Sequence, residues 1–247
     1  MIDMSSVKLL IEIATADIET TRQAVEGGAD RIELCANLGE GGTTPSFGTM
    51  RVCRESFDLP IFPIIRPRAG DFLYTADEFR SMRYDIESAR TLGFEGVVIG
   101  LLEADGRIDL TRTAQLRELA YPMEITFHRA FDRCLNPYEA LEELISIGID
   151  RVLTSGQHPV APDGASCIAA LQKQANGRII IMPGSGVRPD NIQSLKAQTG
   201  CHEFHSSLRG WQASGMNFRH PNFAQQKESY QNPFIDAKEV ERMKREV

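Results

Sequence analysis

Several side chains that can carry charge or move protons fall inside short apolar runs of this sequence. Glu12, Glu33 and Arg66 each lie in a run rich in β-branched residues, and so do His128 and His205. A buried charge without a partner costs several kcal/mol, so these groups must pair with one another or bind a ligand. Carboxylates beside imidazoles suit proton transfer, and a guanidinium suits a carboxylate or phosphate.

Strand parity predicts that these residues share the inner face of a barrel. Alternate residues of a strand point to opposite sides, and in each run the other side is apolar. The predicted inward side chains are Glu12, Glu33, Cys35, Phe62, Ile64, Arg66, Glu124, Thr126, His128, Glu203 and His205. An internal salt-bridge network is the alternative to a site. Arg66 and His128 favour a site, because they come late in their strands, where barrel enzymes carry their chemistry.

A glycine-rich turn follows the seventh apolar run. Gly184, Ser185 and Gly186 are predicted to end a strand and open a helix. Backbone N–H groups and a helix dipole at such a place attract anions, and many barrels bind phosphate near strands seven and eight. The sequence therefore predicts an anion site at this turn, with an ordinary structural turn as the alternative.

The elements that position these residues alternate along the chain, strand then helix, as in a parallel sheet. Eight strands are predicted, over 9–15, 31–36, 61–67, 96–101, 123–130, 151–156, 179–184 and 201–207. The clearest helices are 76–92, followed by Gly93, and 137–147, with Asn136 as the predicted N-cap and Pro137 at its first position. Ser46 is a predicted cap of another helix. Eight such units predict a (β/α)8 TIM barrel.

Length and charge narrow the classes further. The chain has 247 residues and a formal net charge of −7, which fits one barrel domain over 1–247 and disfavours nucleic acid and membrane surfaces as partners. Residues 211–233 are predicted to form a long polar loop before a last helix at 236–246. This loop follows the eighth strand and therefore lies on the catalytic face, where it is either a lid or a plain mobile segment.

Cysteine usage and the amino terminus predict a cytoplasmic protein. Five cysteines occur without a CxxC pair, which favours reduced thiols. The chain has no 18-residue apolar stretch, and residues 1–6 lack the basic-then-apolar pattern of a secretory signal.

Six short motifs resemble those of the CutC copper homeostasis family. They are RIELCA at 31–36, GGTTPS at 41–46, IRPR at 65–68, TFHRA at 126–130, LTSG at 153–156 and PGSG at 183–186. The resemblance runs from 9 to about 207. It implies a barrel, a cytoplasmic location, a homodimer and a role in copper handling or tolerance.

Three functions stay open at this point. Cu(I) prefers thiolate and thioether ligands, and Cys35 is the predicted metal ligand, with Met182 oriented alike and His128 and His205 available to complete a site. The alternative is an isomerase-type or lyase-type enzyme for a small anionic or phosphorylated metabolite. Glu12, Glu33 and His128 would then serve as acid/base groups. No lysine lies well inside a strand, which disfavours Schiff-base chemistry. A non-catalytic scaffold is the third hypothesis.

Overall fold

The computed structural model describes residues 9–226 and 230–246. Within these ranges eight parallel strands alternate with eight helices, as the sequence predicts. The barrel strands are β1 (Leu10–Thr15), β2 (Arg31–Leu34), β3 (Ile61–Pro63), β4 (Gly96–Ile99), β5 (Glu124–Phe127), β6 (Arg151–Thr154), β7 (Ile180–Pro183) and β8 (Glu203–Ser206). The helices are α1 (Ile18–Glu26), α2 (Phe47–Ser56), α3 (Ala76–Leu92), α4 (Leu110–Ala120), α5 (Pro137–Ser146), α6 (Ala165–Ala175), α7 (Ile192–Thr199) and α8 (Ala237–Arg245). The predicted absence of a signal in residues 1–6 lies outside the described residues.

The strands form two parallel sheets that close on each other. One sheet runs β3-β2-β1-β8 and the other β4-β5-β6-β7. A parallel bridge between Ile64 and Val98 joins β3 to β4, and β7 lies beside β8. The result is a (β/α)8 barrel of the TIM type.

Strand register brings the predicted site residues to one level. On β1, Glu12 lies opposite Arg31 of β2 and opposite His205 of β8. Glu33 lies opposite Ala14, two positions further along and therefore on the same face. Since all these strands are parallel, their carboxyl ends meet at one mouth, and the charged residues approach it from below.

The two faces of each strand separate as parity predicts. The side chains that pack outward against the helices form the main core and include Ile11, Ile13, Ile32, Leu34, Ile61 and Ile65. A smaller apolar cluster of Cys35, Phe62, Ile64 and Val98 faces inward. Burial of the outward stripe removes apolar surface from water, at about 25 cal/mol per Å², and this drives barrel closure.

Local capping explains where the best-predicted helices begin and end. α3 covers the predicted range, because Thr75 accepts the Glu78 N–H while the Glu78 carboxylate accepts the Thr75 N–H. Gly93 ends it with a φ of 78°. α5 begins at Pro137 after the Asn136 cap, as predicted, and Ser46 caps α2.

The chain departs from the prediction after the seventh and eighth strands. α7 begins only at Ile192, well past the turn at 184–186 that was expected to open it. The stretch 211–233 is not all loop, because its ends belong to an antiparallel ribbon of β9 (Arg209–Ala213) and β10 (Gln231–Ile235). Residues 227–229 of that stretch lie outside the described residues.

Two further features concern the whole chain. All five cysteines are free thiols. No helix among the described residues is long and apolar enough to cross a bilayer.

Candidate functional site: a basic cavity above a buried ion-pair network

Charged side chains from five strands form one continuous ion-pair chain inside the barrel. The Arg31 Nε lies 2.5 Å from Glu12 Oε2, and its Nη2 lies 2.6 Å from Glu203 Oε2. Arg151 extends the chain, with Nε 2.6 Å from the same Glu203 oxygen and Nη2 3.2 Å from Glu124. Glu12 and both arginines are almost fully buried. Glu12, predicted from the sequence as an acid/base group, therefore belongs to this internal network and does not line the cavity.

His205 connects the network to the cavity. Its Nδ1 lies 2.7 Å from Glu12 Oε1, and its Nε2 lies 3.7 Å from Glu33 Oε2. Burial disfavours the charged ring, but the hydrogen bond to Glu12 and the nearby Glu33 outweigh it and raise the pKa of His205. For Glu33, in contrast, burial itself raises the pKa. For Glu12, Arg31 and His205 outweigh burial and hold the pKa well below its usual range. One firmly ionised carboxylate thus orients the imidazole while the other carboxyl faces the cavity.

A cavity of about 560 Å³ lies at the carboxyl ends of the strands. Its basic lining residues are Arg66, His128, Arg129, Arg133, Arg188, His205 and Arg209. Among the described lining residues, the carboxylates are Glu33 and Glu40. The mouth is therefore positively charged, although the chain as a whole carries −7.

Arg66 holds an uncompensated charge in the cavity wall. Its Nη1 donates to the carbonyl oxygens of Glu40 at 3.0 Å and Gly42 at 2.7 Å, and its Nη2 donates to Gly70 at 2.9 Å. The side chain is only 4% exposed, and no carboxylate in the described parts of the chain forms an ion pair with it. Carbonyl dipoles fix the guanidinium without neutralising it, so the group attracts an anion.

His128 is a neutral donor in the same wall. Its Nδ1 accepts the Ala130 N–H at 3.0 Å, which assigns the ring proton to Nε2. Burial, reinforced by the charge of Arg66, lowers the pKa of His128 to about 3. The Nε2 is buried and has no partner among the described residues. This geometry favours a hydrogen-bond donor role over the acid/base role suggested by the sequence.

The turn after β7 exposes main-chain donors to the cavity. Ser185 and Gly186 both have a φ of 73°, and both line the cavity with Val187. Within residues 9–226 and 230–246, the N–H groups of these three residues donate to no protein acceptor, whereas Gly184 donates to Thr154 O at 2.9 Å. Successive free N–H groups in such a turn suit an anion. Because α7 begins only at Ile192, the prediction that a helix dipole contributes to this anion site is wrong.

Cys35 lies deep in the inner apolar cluster. Its Sγ is 3.6 Å from Glu33 Oε2, and Phe62, Ile64 and Val98 pack around it. Burial, followed by the charge of Glu33, raises the pKa of the thiol well above its usual value. The thiol is therefore poorly disposed to become the thiolate that binds a soft metal.

The surrounding donors do not complete a Cu(I) centre. The Met182 sulfur, the other soft atom predicted to face inward, lies 3.4 Å from Arg31 Nη2, so a guanidinium occupies its approach. In the described part of the chain, no group of three or more His, Cys, Asp and Glu side chains is arranged to hold a metal. The residues present therefore do not fit a bound copper ion at Cys35.

Sequence reasoning missed two kinds of functional residue. Arg31 and Arg151 open their strands on the inward side, and extending the strand parity by one step would have found them. Arg188 and Arg209 come from irregular segments at the mouth, where no periodicity signals direction.

Asp132 ties the loop after β5 to β6 by accepting from Thr154, Ser155, Gln157 and Arg129.

The fold and the site together define a (β/α)8 barrel protein with a positively charged cavity at the carboxyl ends of its strands. The profile of the CutC family matches residues 9–210, which is most of the chain. The chain belongs to the CutC family, as its motifs predict.

Named relatives and solved structures agree with this assignment. A CutC family protein from Chromobacterium violaceum is 53% identical over 85% of each chain. The human copper homeostasis protein cutC homolog is 45% identical over 87% of this chain and 79% of its own. A provisionally named copper homeostasis protein CutC from Streptococcus agalactiae superposes with a TM-score of 0.77, at 30% identity over 81% of this chain and 98% of its own.

Proposed function

We propose that this CutC family chain is an enzyme that binds a small phosphorylated metabolite in the barrel mouth and moves a proton on it. The observation that carries the proposal is the charge of the cavity. Five arginines line it, two of the described lining residues are carboxylates, and the rest of the chain is acidic. A cleft with one sign of charge concentrates ligands of the opposite sign.

The phosphate is proposed to bind at the turn after β7. The free N–H groups of Ser185, Gly186 and Val187 supply the donors, and Arg188 supplies a positive charge beside them. Arg188 is exposed and makes no side-chain hydrogen bond within the described residues, so it is available to a ligand. Gly184 packs against Leu153 and His205 and keeps the turn close to the strands.

Glu33 and His205 are proposed to move the proton. Both line the cavity, and both have a raised pKa, since burial raises the pKa of Glu33 while the hydrogen bond to Glu12 and the charge of Glu33 raise that of His205. A general acid or base works best when its pKa lies near the working pH. Glu12 holds His205 in place from below, so it acts as a positioning residue.

A direct Cu(I) role at Cys35 is the competing function, and the donor geometry does not favour it. A scaffold without a ligand is also disfavoured, because the ion-pair network leaves the cavity open above it. A homodimer and a cytoplasmic location remain predictions.

The test is calorimetric titration with inorganic phosphate and pyrophosphate. Arg188→Gln should weaken binding about tenfold or more, because a charged hydrogen bond contributes about 1.5–3 kcal/mol. Arg83→Gln, an exposed arginine on α3, is the matched control and should bind like the wild type. The proposal is contradicted if the wild type binds none of phosphate, pyrophosphate and sugar phosphates at millimolar concentration.

A parallel anaerobic Cu(I) competition against a chromophoric chelator compares the wild type with Cys35→Ser. Both proteins should leave the chelator loaded to the same extent. One tight equivalent in the wild type that Cys35→Ser lacks would support the copper function instead.

A further inference from the structure

The cavity holds a second group of donors away from the turn after β7. Arg66 follows β3 and His128 follows β5, whereas Ser185 and Gly186 follow β7. In an eight-stranded barrel β7 lies diametrically opposite β3. A ligand anchored at the turn therefore extends across the mouth toward Arg66 and His128.

This second group is built to meet an oxygen atom. The His128 Nε2 is a buried donor without an acceptor in the described chain, and its ring is neutral. The Phe72 ring packs against both partners, with its centroid 5.0 Å from that of His128 and 5.1 Å from Arg66 Cζ. A buried donor left unpaired costs about 1–3 kcal/mol, so it is retained where a ligand pairs with it.

We infer that Arg66 and His128 form an oxyanion site for the carbonyl oxygen of a phosphorylated α-hydroxy aldehyde or ketone, and that Glu33 enolises this substrate. The inference rests on the proposed function and specifies its substrate class. A neutral imidazole with an N–H donor polarises a carbonyl without surrendering its proton, and an adjacent cation stabilises the enolate. Phe72 keeps bulk water from both groups, which strengthens their effect on the oxygen.

The proton transfer balances within the substrate and one side chain. The ionised Glu33 carboxylate takes the proton from the carbon next to the carbonyl. The C–H electron pair forms the C=C bond of the enolate, and the carbonyl π pair moves to the oxygen held by Arg66 and His128. Return of the proton from Glu33 to the former carbonyl carbon, while the hydroxyl proton passes to the neighbouring oxygen, converts aldose to ketose. No co-reactant is required.

Glu33 suits the role of base by position. It lines the cavity, is only 5% exposed, and has His205 at 3.7 Å to compensate its charge when it is ionised. The Cys35 thiol lies 3.6 Å from Glu33 Oε2, the same oxygen that faces His205, so neither side chain occupies Oε1. The carboxylate is thus supported from the interior and open toward the substrate.

Two probes separate this inference from the proposed function. Methyl phosphate carries only the phosphate, whereas 2-phosphoglycolate adds a planar carboxylate that resembles the enediolate. The wild type should bind 2-phosphoglycolate at least tenfold more tightly than methyl phosphate. His128→Ala should remove that ratio and leave the affinity for methyl phosphate unchanged. Arg188→Gln should weaken both ligands alike.

If His128→Ala folds poorly, the oxyanion site can still be tested with the wild type alone. In ¹⁵N-edited NMR, the Nε2 proton of His128 should shift downfield with 2-phosphoglycolate and stay in place with methyl phosphate. Methyl phosphate binding with no added affinity and no shift for 2-phosphoglycolate overturns the oxyanion site and spares the phosphate site. Failure of both probes to bind overturns both.

Turnover is tested by incubating three- to six-carbon aldose and ketose phosphates with the enzyme in D₂O. The wild type should incorporate deuterium at the carbon next to the carbonyl of at least one compound. Glu33→Gln should abolish incorporation while retaining 2-phosphoglycolate binding. Absence of incorporation across the panel, or its survival in Glu33→Gln, contradicts the assignment of Glu33 as the base.

Discussion

The most unusual single residue is His128, because the fold keeps it neutral under mildly acidic conditions. Its pKa is lowered to about 3, chiefly by burial and also by Arg66. The unfolded chain, with an ordinary pKa near 6.5, takes up a proton well before the native protein does. Acid therefore favours the unfolded state over the window from about 6.5 down to about 3.

We predict that His128→Gln reduces the loss of stability in acid. Between pH 7 and pH 5 the histidine costs the wild type about 2 kcal/mol, at about 1.4 kcal/mol per pH unit below the unfolded pKa. Guanidinium unfolding at both pH values measures the difference for each protein, so any constant effect of the substitution cancels. The same loss in the wild type and His128→Gln would show that the native ring is protonated.

Opposite pH behaviour is expected from the neighbouring pair of Glu33 and His205. Both have a raised pKa in the native state, so their contribution is present at low pH and is lost as the pH rises through the native values. Glu33 and His205 are present in both the wild type and His128→Gln, so their contribution cancels when the two proteins are compared.

At the scale of elements, β4 depends on having glycine at its first position. A Cβ on Gly96 would lie 2.4–2.7 Å from three atoms of the Phe62 ring. The ring cannot move aside, because the guanidinium carbons of Arg31 and Arg151 lie 5.1 and 5.7 Å from its centroid. The apolar layer and the ion-pair network thus constrain each other.

We predict that Gly96→Ala lowers the free energy of unfolding by about 1–3 kcal/mol, since overpacking forces neighbours from their rotamers. Gly48→Ala in α2 is the matched control, because a Cβ there meets only the Ser46 hydroxyl at 3.9 Å. It should stabilise the protein by about 0.5–1 kcal/mol through helix propensity. Urea unfolding of both variants gives the two signs, and a neutral Gly96→Ala would mean that Phe62 has room.

The sequence was informative about elements wherever one local rule acted alone. Parity along β1 located Glu12, and the caps Thr75 and Asn136 mark where α3 and α5 start. It was less informative where a side chain finds its partner on another strand. Parity extended along β2 turns Arg31 inward, but it does not show that Arg31 forms an ion pair with Glu12, because the two are joined only by strand register.

The same limit applies to the mouth. Burial and the charge of Arg66 decide the protonation of His128, and neither is visible in the TFHRA motif. The delayed start of α7 and the β9–β10 ribbon arise in Gly-, Ser- and Asn-rich segments, where periodicity gives no signal.

At the scale of the whole molecule, Glu203 links the two sheets of the barrel. It lies on β8, beside the seam with β7, and its carboxylate contacts Arg31 from one sheet and Arg151 from the other. Backbone hydrogen bonding is continuous within each sheet, so this shared carboxylate is part of what closes the cylinder. Its loss leaves two buried guanidinium groups facing each other.

We predict that Glu203→Gln lowers the free energy of unfolding by about 3–5 kcal/mol, as expected when one partner of a buried ion pair is removed. Pairing it with Arg151→Met should cost less than the sum of the two single changes, because Arg151→Met removes a cation that has lost its shorter ion pair in Glu203→Gln and keeps only Glu124. Glu55→Gln, in the exposed pair with Arg51, should change stability by less than about 1 kcal/mol. Hydrogen exchange should accelerate first in β7 and β8 of Glu203→Gln if the carboxylate closes the seam. Uniform acceleration over all eight strands would instead mean that it stabilises the barrel without a special role in closure.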